Sequence, residues 1–398
     1  MADIRSYMKE KEKREQKQAG YKEKILRYKL VSVYRILLVI AGAAALIALI
    51  VVQYRRHVYT DYDIISTVAR ESAYGTTDLR LGNAILTYSK DGAHCTDARG
   101  ETIWNQTYQI QDIRLAVCQD TVAIADYNGR NIYVQNSKQQ LGTITTNMPI
   151  RDITVANTGW VTAILADTNL ARINTYDPSG KLRYEGKAYM NVSGYPGALS
   201  LSPNGELLCV AYMYVDAGVL KTTVAFYNFT EIGESQQDLM VSYWSYNDLV
   251  VPMVRFMNDS TAFAVGDSRL MIYTGNRKPV SAAEKLFDEE VLSVYYNESY
   301  VGLVFQSEDS EHLYRFDVYD TQGELVNKYY FDMEYTDLFF DKDNIVIYNE
   351  TQCMILTIGG IVKYDGNFSK TVRLMLPAQS AYRYILVTDN SIDTIQLR

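Results

Sequence analysis

The chain has 398 residues, 47% of them hydrophobic and 22% charged, which is enough apolar material for a sizeable core and excludes wholesale disorder. Its formal net charge of −8 is unevenly shared: residues 1–35 hold 11 Lys/Arg against 5 acids, for +6, and the remainder stands at −14. So acidic a body argues against a nucleic-acid partner, because phosphate binding needs a positive surface, whereas a basic tail ahead of an acidic body is a membrane-protein pattern.

The tail, residues 1–35, is rich in helix formers and is expected to lie in the cytoplasm. Its basic residues either attract anionic lipid headgroups or serve only as a topology signal. No residue between Arg35 and Arg55 is charged, and residues 36–52 (ILLVIAGAAALIALIVV) are continuously apolar. Residues 36–53 therefore predict one transmembrane helix, flanked by Tyr34 and Tyr54 at the depth where aromatic belts form. A buried core helix would show a polar face, and a cleavable signal would show a shorter apolar run followed by a small-residue site. Lys17, Lys22, Lys24, Arg27, Lys29 and Arg35 precede the helix, and Arg55, Arg56 and Arg70 follow it. That asymmetry predicts a cytoplasmic N-terminus and an extracytoplasmic body. Ala41, Ala45 and Ala48 share a helix face beside Gly42, a small-residue surface that would admit a second transmembrane helix.

Residues 54–60 read as a juxtamembrane linker, and residues 61–398 as one all-β domain. Short apolar runs alternate with turns, as in 121–125 with 131–135, 160–165 with 171–176, 300–305 with 313–319, and 345–348 with 354–358. Turn residues stand where hairpins need them: Asn128-Gly129, Pro178-Ser179-Gly180, Pro203-Asn204-Gly205 and Thr321-Gln322-Gly323. The first run of each unit begins near 84, 121, 160, 207, 262, 300, 345 and 384, a mean spacing near 43. Four-stranded propeller blades repeat at roughly 40–45 residues. The reading is a single β-propeller of eight blades, with seven the alternative. The last unit lacks an outer strand, while spare strand-like sequence (64–68, 79–81) precedes the first. An N-terminal strand is therefore expected to complete the C-terminal blade and close the ring.

Asp97-Ala98-Arg99-Gly100-Glu101-Thr102-Ile103-Trp104 resembles the Asp-Ala-x-Gly-x-x-x-Trp signature of quinoprotein-like repeats. Tyr176-Asp177-Pro178-Ser179-Gly180 and Tyr319-Asp320-Thr321-Gln322-Gly323 are similar to it without the Trp. Ser202-Pro203-Asn204-Gly205 resembles the Ser-Pro-Asp-Gly turn of WD40-like propellers. The layout of tail, anchor and propeller resembles an uncharacterised family of membrane-anchored propeller proteins of Gram-positive bacteria. The propeller also resembles the propeller subunit of the outer-membrane barrel-assembly machinery. These resemblances imply a fold and little about function, since propellers host many activities.

Candidate chemistry is sparse. Of the three histidines, His57, His94 and His312, only the last two fall in the propeller, which leaves little material for a triad or a multi-His metal site. Cys95, Cys118, Cys209 and Cys353 form no CxxC pair; a Cys95–Cys118 disulfide is permitted outside the cytoplasm. Asp341-Lys342-Asp343-Asn344 reads as an acidic hairpin turn rather than a calcium loop. Quinone-cofactor enzymes of this repeat type look for several docking tryptophans and, in many, vicinal cysteines, and only Trp104 fits. No cofactor is therefore expected. The expectation is a non-enzymatic scaffold or sensor at the cell envelope, binding a protein or an envelope polymer. The alternative is a quinone-cofactor-type or other propeller enzyme with its site in the central channel.

The longest unit, about 207–262, carries roughly a dozen residues beyond the mean. Within it, residues 238–246 (DLMVSYWSY) read as the outermost strand of a blade. Tyr243, Trp244 and Tyr246 are the candidate partner-binding residues, because Tyr and Trp are enriched at interface hot spots. Strand alternation puts Tyr243 and Trp244 on opposite faces.

Overall fold

The computed structural model describes residues 3–55, 57–308 and 310–398 and divides the chain into two units, 1–58 and 59–398. The first unit is one continuous helix, α1 (Asp3–Arg55), spanning both the basic tail and the apolar segment. Its Tyr28–Ile47 stretch is long and apolar enough to cross a membrane.

The second unit is an eight-bladed β-propeller of four-stranded antiparallel sheets. Blades 1 to 7 follow one another along the chain at 77–107, 113–145, 150–189, 195–247, 253–286, 291–331 and 337–367, each running from its innermost to its outermost strand. Blade 8 takes three strands from the C-terminus (Leu374–Pro377, Arg383–Val387, Ser391–Leu397) and its outermost strand, Tyr62–Ala69, from the start of the unit. The ring is thus closed by a strand from near the opposite end of the sequence, which leaves no open sheet between blades 8 and 1. Tyr59, placed in the linker by the sequence, already bridges to Tyr364 of blade 7.

The eight apolar runs of the sequence are the second strands, at Ala84, Thr121, Val161, Leu207, Thr261, Tyr300, Asn344 and Arg383. Each is covered on both faces by neighbouring blades, so every position of the strand is buried in blade 5 and every position but the last in blades 2 and 3. The core is a set of apolar layers between blades; Phe226 and Val224 of blade 4, for example, pack with Phe256, Ala264 and Tyr273 of blade 5. In blades 1–7 the third and outermost strands pair with one register shift, and blade 8 has its shift at Ile64/Ser66. Such bulges add the strong twist a propeller blade needs.

The signature repeats shape the third turn of their blades. Asp97 Oδ1 accepts the backbone N–H of Arg99 and Glu101 at 2.8 and 2.9 Å; Asp177 and Asp320 make the equivalent turns. Trp104 then docks on the next blade, its Nε1–H donating to the Asn136 carbonyl at 2.7 Å. Blade 4 holds the extra length of the longest unit. Its second and third strands, Leu207–Asp216 and Val219–Asn228, run to 10 residues each, and a short helix, Glu231–Glu234, leads toward the outermost strand Met240–Asn247.

Candidate functional site

Two of the propeller's cavities bear on function. The first is the central channel, a space of about 480 Å³ lined by the innermost strands. Those strands are stitched together by polar contacts: Thr154 Oγ1 accepts the Leu201 N–H at 3.3 Å and Ser200 Oγ accepts the Phe256 N–H at 3.0 Å. Arg255 projects into this space and donates to its own strand at the Val254 carbonyl, 2.8 Å. Burial pushes the Asp152 carboxyl above its ordinary range, against the pull of Arg255 and Arg114. Burial lowers the Arg80 guanidinium, opposed by Asp341. At one mouth Gln119 Nε2 donates to Glu298 Oε1 at 3.1 Å, which joins blade 2 to blade 6, on opposite sides of the ring, across the channel.

The propeller histidines lie elsewhere. His94 is on the third strand of blade 1, and His312 sits on the outside of blade 6 with Asp332 Oδ2 3.1 Å away. All four cysteines are free thiols, so the permitted Cys95–Cys118 disulfide does not form. Cys118, the thiol facing the channel, is pushed up to about 11 by burial, which disfavours the nucleophilic thiolate. Residues 341–344 form the tight turn between the first two strands of blade 7, with Lys342 at φ 53°.

The second cavity, about 610 Å³, opens between blades 3 and 4 at the outer rim. Its origin is local. The outermost strand of blade 3, Leu182–Tyr189, presents Gly186 here, and blade 4 presents Ala225, Thr223 and Ser245. These small residues sit among the tyrosines of the lining, and the Tyr184 hydroxyl lies over Gly186. The long hairpin of blade 4 extends the wall and places Tyr212, Tyr214 and Tyr227 along it, and the outermost strand adds Tyr243, opposite Tyr184. Tyr212 and Tyr227 share a hydroxyl–hydroxyl bond of 2.7 Å at the floor. Burial pushes the Tyr227 hydroxyl up to about 12, so it stays neutral.

The predicted binding residues separate here. Residues 240–247 are the outermost strand of blade 4, as the order within the unit suggested. Tyr243 is 63% exposed and lines the rim cavity. Trp244 turns the other way, its ring 4.9 Å from Tyr273 and 6.0 Å from Phe226. Tyr246 is corrected: it is only 8% exposed, with its hydroxyl 2.9 Å from that of Tyr273, so its ring belongs to the blade 4–blade 5 core and has no face for a partner. On α1, Ala41, Gly42 and Ala45 are exposed. The side chains of Ala48, Tyr54 and Arg55, those of Lys22, Lys24 and Arg27, and all of Arg56 lie outside the described residues. The cavity was not legible beforehand, because Gly186 and Ala225 are far apart in the sequence; the length of the 207–262 unit was the one signal pointing to it.

No curated protein sequence matches the chain. Among solved structures it is similar to a eukaryotic initiation factor (12% identity, 84% of this chain and 87% of that one, TM-score 0.52). It is also similar to apo AztD from Citrobacter koseri (8%, 78% and 90%, TM-score 0.51) and to BamB from Moraxella catarrhalis (10%, 85% and 100%, TM-score 0.47). At such identities the likeness is one of fold. Residues 55–397 match the model of a family of unknown function (DUF5711), and the chain belongs to that family.

Proposed function

We propose that the chain is a membrane-anchored propeller acting as a non-enzymatic interaction scaffold or sensor at the cell envelope. The observation that carries this reading is the rim cavity between blades 3 and 4, with Tyr243 exposed on its wall. An exposed aromatic beside a concave surface is the arrangement on which binding energy concentrates. The uncharged helix segment supplies the anchor and the basic tail its orientation, with N-terminus in the cytoplasm and propeller outside. The partner is a protein or an envelope polymer. The channel supports a second reading, an enzyme with its site around Asp152 and Arg255, because a carboxyl raised by burial is the kind of group that catalysis uses.

The test is capture from envelope extracts by the full chain in detergent, comparing the native protein with Tyr243→Asp and with Arg255→Leu. Loss of capture in the Tyr243 variant alone, with unchanged melting, supports the scaffold. Undiminished capture by a folded Tyr243→Asp protein removes the rim from the proposal.

A further inference from the structure

Resting on the scaffold reading, we propose that the blade 3–blade 4 cavity is a saccharide site that takes a neutral oligosaccharide segment of an envelope polymer. Three features of the cavity select that chemistry. The first is hydroxyl density: six tyrosines, one threonine and two serines line a single space, including the paired hydroxyls of Tyr212 and Tyr227 and those of Thr223 and Ser245, 2.9 Å apart. Sugar hydroxyls both donate and accept, and side-chain hydroxyls, which do the same, can pair with them in either sense. The second is ring surface. The exposed ring of Tyr243 stands on one wall and is of the size of a pyranose, whose own C–H faces are apolar, while Tyr184 on the other wall packs on Tyr227 and Phe229.

The third feature is charge. The only ionisable lining residues apart from the tyrosines are Glu185, Lys187 and Asp238. Glu185 shares the Arg172 guanidinium with Asp167, and Lys187 offsets Asp238 in charge. Within a body of net charge −14, a lining with one more acid than base lacks the positive charge a phosphate polymer needs and the acidic cluster that would select a basic peptide, which leaves an uncharged ligand.

Strand addition by a peptide fits less well. On the blade 4 side the second and third strands meet the cavity with their backbone groups already paired, and only the outermost strand keeps a free edge. On the blade 3 side the edge strand carries Arg183, Glu185 and Lys187 at alternate positions, a charged edge of the kind that discourages further pairing.

The experiment is titration of the full chain in detergent with tetra-N-acetylchitotetraose, cellotetraose and maltotetraose, read by calorimetry and tyrosine fluorescence. At least one is expected to bind, and Tyr243→Ala and Ser245→Trp are each expected to weaken it at least tenfold; both positions are exposed, so the fold is retained. Tyr330→Ala, an exposed tyrosine on the outermost strand of blade 6, should leave binding unchanged. Absence of binding by all three sugars at millimolar concentration overturns the saccharide assignment, as does binding that ignores both cavity variants. If the sugars fail while Tyr243→Asp still abolishes capture of a protein, the ligand class falls and the scaffold reading stands. If capture is also unchanged, both fall.

Discussion

The carboxylate of Asp78, on the innermost strand of blade 1, lies 3.3 Å from the Nε of Arg373, which immediately precedes the innermost strand of blade 8. The Asp78 side chain is 1% exposed, and Arg70, the first residue after the closing strand, pairs with it from the other side. Thr87 Oγ1 adds a donor at 2.6 Å. One buried carboxylate thus ties together the three segments that meet at the seam. Replacing it by Ala strands the buried Arg70 guanidinium, while Arg373 keeps Asp389 at 2.9 Å, and Asp78→Ala should cost about 3–5 kcal/mol of stability in chemical denaturation. A loss below about 1 kcal/mol would mean that the seam does not depend on it.

Ring closure should be all-or-none. Without residues 384–398 the strand Tyr62–Ala69 has nothing to pair with, and without residues 59–69 blade 8 lacks its outer edge. Both truncations are expected to give insoluble protein or a broad, non-cooperative melt. A sharp transition near the native temperature in either would show that closure is dispensable.

The aromatic residues of the blade 4 outer strand should separate by stability. Trp244→Ala is expected to cost about 2–3 kcal/mol, less than the ~3–5 kcal/mol of a fully buried aromatic because its ring is only partly covered. Tyr246→Phe leaves the buried Tyr273 hydroxyl without its partner, a loss of about 1–3 kcal/mol. Tyr243→Ala should stay within about 0.5 kcal/mol of the native protein, as at other exposed sites. Melting curves of the three variants check the order.

His94 should give the propeller an acid-sensitive component. Burial and then Arg70 hold its imidazole below the ordinary value of 6.5, with Asp78 opposing. As pH falls through that value the unfolded chain takes up the proton first, so stability present above 6.5 is lost below it. The native melting temperature should therefore drop more between pH 7.5 and 5.5 than that of His94→Gln. Equal drops would assign the sensitivity to other groups.

The orientation is open to direct assay. Protease added to protoplasts should degrade the region beyond Arg55 and spare the tail. A protected propeller would reverse the assignment.

Blade number was readable in the sequence for a physical reason. Second strands such as Thr121–Asp126 and Thr261–Val265 are sandwiched on both faces, so each appears as an unbroken apolar run. Innermost strands were harder to see, since residues facing the channel, among them Arg80, Asp152 and Arg255, interrupt the apolar pattern. The position of Met240–Asn247 in its blade could be counted from strand order, and alternation correctly put Tyr243 and Trp244 on opposite faces. The burial of Tyr246 could not, because it depends on Tyr273 of the next blade. The rim cavity is likewise a property of two strands facing each other, which no local pattern encodes.

The segment that closes the ring is also the one by which the chain enters it. Whatever holds α1 pulls on Tyr62–Ala69, beginning at the end where Arg398 clamps Asp61 and Asp63 at 2.7 and 2.9 Å and Tyr62 pairs with Leu397. Tension along the tether would therefore load the Tyr59 bridge to blade 7 and then the seam before the other blades. A cut ahead of Tyr59 would release an intact ring, whereas a cut just after Ala69 would leave the closing strand behind on the tether and the eighth blade one strand short.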